Sequence, residues 1–135
     1  MNFTHDRIKE RRFAVLAKLI FDHWEEGSGM DTRYFDHPFI HDDFVVNGQS
    51  TKGGSYREHV VPRAYLRDRC QELYANGRSI EDVGRLLMDN LRIVLITLTE
   101  AETLNERYKT TMPPGWTLGE SDPLARLREV GIDVV

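Results

Sequence analysis

Residues 91–98 read Leu-Arg-Ile-Val-Leu-Ile-Thr-Leu, a stretch in which Arg92 and Thr97 are the only polar members. β-Branched and aliphatic side chains suit a pleated surface, and a run that is apolar on both alternating sets must be covered on both faces. The stretch is therefore expected to be the central strand of a small sheet, so the rest of the chain must supply its neighbours and its covers. The first cover is helical by pattern. From about Asp6 to Glu26 the residues Ile8, Phe13, Leu16, Leu19, Ile20 and Trp24 recur at three and four among Arg, Lys and Glu, and Gly27-Ser28-Gly29 ends the run. The apolar stripe of this amphipathic helix serves either the core or the interface of a homodimer.

The remaining elements are short. Between Met30 and Gly54, apolar anchors at Phe39, Ile40, Phe44, Val45 and Val46 predict a short strand within 39–46, followed by a turn at Asn47-Gly48 and a loop to Ser55. Tyr56 to Pro62 reads as a β-branched strand stopped by proline. Pro62 suits the first turn of a helix running through Leu66, Cys70 and Leu73 to Asn76-Gly77, and Ser79 with Asp82 caps a second helix through Val83 and Leu87. After the central strand, Thr99 with Glu102 three residues on forms a capping box for a helix through Leu104 and Tyr108. Pro113-Pro114-Gly115 interrupts regular structure, with Trp116 pinning the loop to the core. Ser121-Asp122-Pro123 opens a last helix over 124–130, and Ile132 to Val135 is expected to add an edge strand. The fold class is α+β: a small antiparallel sheet with an N-terminal amphipathic helix and several short helices.

Length and charge narrow the function. A chain of 135 residues fits a single domain, 1–135, with one core. Eighteen basic and 22 acidic side chains leave a formal charge of −4, so a polyanion partner needs a local basic patch, and Arg57, Arg63, Arg67 and Arg69 supply the residues for one. One cysteine, Cys70, excludes an internal disulfide and a cysteine-based zinc site, which points to a reducing compartment. The first twelve residues are rich in charge and no apolar run reaches the roughly 18 residues of a membrane span. A cytoplasmic protein with no membrane partner is expected.

The chemistry gathers at Tyr56-Arg57-Glu58-His59-Val60-Val61-Pro62, where an acid abuts a histidine at a strand end. A histidine whose unperturbed pKa lies near 6.5 can take a proton at neutral pH. This segment, with Asn90-Leu91 before the second strand, resembles the HNH (ββα-metal, His-Me finger) nucleases, whose signature is acidic-His-aliphatic-x-Pro followed by a middle Asn. The resemblance spans 56–108, less than half the chain, with residues 1–27 and 109–135 outside it. It implies a ββα-metal-like core and a metal-dependent endonuclease that hydrolyses phosphodiesters in nucleic acid. In that role His59 is the general base and Asn90 orients its ring. Glu58, with Asn105 or Glu102 from the last helix of the core, holds a divalent ion, Mg or Mn, and Arg57 or Arg63 holds the phosphate.

One departure stands out. The helix that carries the family's last metal ligand offers Glu100, Glu102, Asn105 and Glu106 but no histidine, and Glu102 has a competing role in the capping box. The alternative is a non-catalytic interaction or inhibitor protein that keeps the frame and binds a protein partner. His37 and His41, four apart beside Asp42 and Asp43, would share a face on a helix and bind metal there; Pro38 between them argues instead for two loop histidines.

Overall fold

The computed structural model describes residues 2–135. In chain order the elements are α1 (His5–Glu25), a 3-10 turn (Thr32–Phe35), α2 (Asp42–Val45), β1 (Val46–Gln49), β2 (Tyr56–His59), α3 (Arg63–Ala75), α4 (Ile80–Asn90), β3 (Ile93–Ile96), α5 (Leu98–Tyr108) and α6 (Ala125–Glu129). The α+β class expected from the sequence is what the chain makes. β3 is the middle strand of the order β1-β3-β2, with Ile93, Val94 and Ile96 fully buried, as the apolar run requires.

The sheet is mixed where an antiparallel one was expected. β2 pairs antiparallel with β3, Tyr56 opposite Ile96 and His59 opposite Ile93, whereas β1 pairs parallel with β3, Val46 opposite Ile93. The cause lies in the 50–55 loop. It crosses the end of β3 instead of closing a hairpin, so β3 slots between β1 and β2, whose directions oppose each other. Gly54 makes that crossing possible: at φ 99°, a Cβ there would stand 2.2 Å from the Ile96 carbonyl carbon and oxygen. The outer edge of β1 is closed by the C-terminal residues, with Ser50 bridging Val134 and Gln49 exchanging backbone hydrogen bonds with Val135. The expected C-terminal edge strand is thus a single bridge.

Two boundaries moved for local reasons. The 39–46 segment contains one helical turn, because His41 accepts a hydrogen bond from the Asp43 N–H and caps α2; β1 begins only at Val46. β3 ends at Ile96, which puts Thr97 at the N-cap of α5. Thr97 Oγ1 accepts from Glu100 N at 3.1 Å and Glu100 Oε1 accepts from Thr97 N at 3.0 Å. The capping box is therefore Thr97 with Glu100, two residues before the expected Thr99 with Glu102.

The stripe of α1 goes into the chain's own core. Phe13, Leu16, Ala17 and Ile20 are buried against α4 and α3. Gly84 of α4 faces Ala17 closely, a Cβ there lying 3.8 Å from the alanine's, and Tyr74 Oη of α3 donates to Ala17 O at 2.7 Å. Trp116 is also buried and donates from Nε1 to Asp122 O at 2.8 Å, which fastens the proline loop as its sequence suggested.

Candidate functional site at the free edge of the sheet

β2 is the edge strand left open once the C-terminal residues close β1. Successive side chains of a strand face opposite sides, so Tyr56 and Glu58 share one face of β2 while Arg57 and His59 share the other. The two members of the acid–histidine pair consequently meet different partners.

On one face, Glu58 Oε1 accepts from Arg126 Nη2 at 2.7 Å. Arg126 comes from α6 and is 1% exposed. Its other N–H groups reach Tyr108 O at 2.8 Å, Val60 O at 3.4 Å and His59 O. Val60 N donates to Arg92 O at 2.9 Å, so by antiparallel alternation the His59 carbonyl turns away from β3 and is free to accept from Arg126. Burial pulls the guanidinium below its usual pKa and Glu58 opposes that pull; an arginine stays charged regardless.

On the other face, His59 Nε2 lies 2.9 Å from Asp36 Oδ1, and Asp36 Oδ2 accepts from Arg63 Nη1 at 2.5 Å. Partial burial raises the Asp36 pKa, but the hydrogen bond from His59, with the charges of His59 and Arg63, outweighs it and holds the carboxyl below its ordinary 3.8. Arg57 pairs in bidentate fashion with Asp42, at 2.7 and 3.1 Å. The loop from Asp31 to Asp43 is thereby stitched onto β2 and the start of α3.

The two faces open into a cavity of about 420 Å³ at the strand's outer edge. Arg57, Glu58, His59, Arg63 and Asn105, five of the seven residues singled out in the sequence, line it, together with Tyr56, Lys109 and Arg126. Asn105 arrives on α5, which packs on β2. The other two lie elsewhere. Asn90 ends α4, 2% exposed, its amide donating to Leu86 O at 2.8 Å and making no hydrogen bond to His59. Asp36 holds the imidazole instead. Glu102 points to solvent outside the cavity, freed from capping by Glu100, which is buried and accepts from Ser50 Oγ at 2.8 Å.

His37 and His41 do come together, their rings edge to face at 5.3 Å, and they line a neighbouring cavity of about 360 Å³ with Asp36, Asp42 and Arg57. His41 spends Nδ1 on capping α2. Among the described residues, no three His, Cys, Asp or Glu side chains converge as a metal cage. Glu58, the expected first metal ligand, already faces a guanidinium, and His59 Nδ1 is buried without a partner. These donors do not fit a divalent ion.

Sequence reasoning missed Asp36, Asp42, Lys109 and Arg126. Asp36 lies in a loop without periodicity and Asp42 opens the single turn of α2, and only the fold brings them to β2. Arg126 did carry a signal: it stands between Leu124-Ala125 and Leu127, and a charged side chain buried with such neighbours needs a partner. Comparison with protein-family models, curated proteins and solved structures found no match for this chain.

Proposed function

We propose that this chain is a nucleic-acid-binding domain on an HNH-like strand–strand–helix frame, which holds one phosphate and one unpaired base beside β2 without cutting the backbone. The supporting observation is the edge cavity, where Arg57, Arg63 and Lys109 surround an opening rimmed by the half-exposed Tyr56 ring. The charge balance sets the scale. Arg57, Arg63 and Arg126 each face a carboxylate of the chain, so Lys109 alone adds uncompensated charge. That suits a single phosphate rather than a stretch of duplex. Stacking of a base on an aromatic ring is worth about 1–3 kcal/mol, and single-strand binding loses affinity with a log–log salt slope of roughly −0.7 per phosphate.

Fluorescence anisotropy with labelled single-stranded and duplex oligonucleotides tests this. The expected result is preference for the single strand, a log–log salt slope of about −0.7, and about tenfold weaker binding in Tyr56→Ala or Lys109→Ala. No binding of either strand form at low salt would remove the proposal.

A second reading, the metal-dependent endonuclease implied by the resemblance, draws on His59, Glu58 and Asn105 sharing that cavity with the arginines. Plasmid and single-stranded substrates incubated with Mg²⁺ or Mn²⁺ separate the two. The binding reading expects no cleavage; cleavage that is lost in His59→Ala would replace it with the endonuclease.

A further inference from the structure

The disagreement between the donors at β2 and a divalent ion has a specific form. The oxygens around Glu58 are not short of a cation; they have one. A carboxylate and three backbone carbonyls, from His59, Val60 and Tyr108, all accept from the guanidinium of Arg126, which solvent scarcely reaches. Tyr108 is the last residue of α5, so its carbonyl belongs to the negative end of that helix and favours a positive charge. The acceptors are distributed over all three guanidinium nitrogens. A metal ion needs its oxygens to converge within about 2.0–2.6 Å of one point, whereas a planar fork needs them spread around its edge, which is the arrangement here.

We infer that these oxygens form a built cation site selective for guanidinium, and that the chain fills it with its own Arg126 where an HNH-like frame would place a divalent ion. Arg126 is then the positioning residue of the edge cavity. It links the end of β2, the end of α5 and α6 into one body, and neutralises Glu58 so that an anion can approach. The inference deepens the binding reading and rests on it for the identity of the site.

The site should therefore outlast the removal of its tethered occupant. In full-length Arg126→Ala the expected result is a midpoint of thermal unfolding lower by about 10 °C, recovered saturably by millimolar methylguanidinium but not by N-methylurea, its neutral isostere, or by sodium chloride. Adding Glu58→Gln to Arg126→Ala should weaken that recovery at least tenfold. If Arg126→Ala does not fold alone, methylguanidinium present during refolding should restore its circular dichroism. Equal effects of methylguanidinium and N-methylurea overturn the inference, as does a variant as stable as the wild type or one that methylguanidinium cannot refold. These outcomes leave the proposed function separately decidable. Oligonucleotide binding by the wild type without methylguanidinium recovery sinks only the cation site, and recovery without oligonucleotide binding sinks only the nucleic-acid reading.

Discussion

Asp36 concentrates the electrostatics of the site on one carboxylate, with His59 on one oxygen and Arg63 on the other. Hydrogen bonds to a charged group contribute about 1.5–3 kcal/mol each, so Asp36→Asn is expected to cost about 2 kcal/mol at neutral pH. The sign of its pH dependence follows from the lowered pKa. A carboxyl held below 3.8 in the folded chain contributes stability that is complete above its unfolded value and lost as pH falls through the folded value. Urea unfolding at several pH values should show the lead of the wild type over Asp36→Asn shrinking as pH falls below about pH 4. A margin independent of pH would contradict this assignment. Local sequence revealed half of this constellation. Glu58, His59 and the flanking arginines were legible because a strand end and a proline announce themselves in a few residues. Asp36 was not, since its partners lie 23 and 27 residues on and nothing in the spacing records the fold that joins them.

At the scale of elements, the apolar run at β3 and the stripes of α1 and α4 were readable because burial on both faces, or on one helical face, writes a period into the sequence. What periodicity could not give was strand order. The parallel pairing of β1 with β3 depends on a loop crossing the sheet end, and the residue that allows it, Gly54, looks in sequence like half of an ordinary flexible Gly53-Gly54 pair. Gly54→Ala should be far more damaging than Gly53→Ala, where a Cβ meets nothing within 4 Å. Both have positive φ, which costs about 1–3 kcal/mol for a non-glycine residue. At Gly54 the clash with the Ile96 backbone comes on top, so a loss of about 4 kcal/mol or more is expected, against about 1 kcal/mol at Gly53. Chemical denaturation of the two variants checks this, and equal losses would mean that the loop does not cross where described. The capping box slipped by two residues for a related reason. Thr97 and Thr99 both precede a glutamate at the right spacing, and only the end of the β2–β3 ladder at Ile96 selects the first.

For the whole molecule, α1 spends Phe13, Leu16, Ala17 and Ile20 on the chain's own core, so that stripe is not open to a second copy. Its exposed apolar residues, Val15 and Ile8, stand apart on the outer side. The chain is expected to elute from size exclusion with the mass of one copy; a concentration-dependent dimer would require a different surface. The ion pairs that fasten the loop from Asp31 to Asp43 onto β2 carry a further meaning for how this molecule would respond to an anion. Arg57 and Arg63 are not waiting bare: on the binding reading a phosphate would trade places with Asp42 or Asp36 and loosen the hold of β2 and α3 on the carboxylates' loop. The site would then behave as an ion exchanger, with occupancy at the strand edge expected to register as slackness of a neighbouring loop.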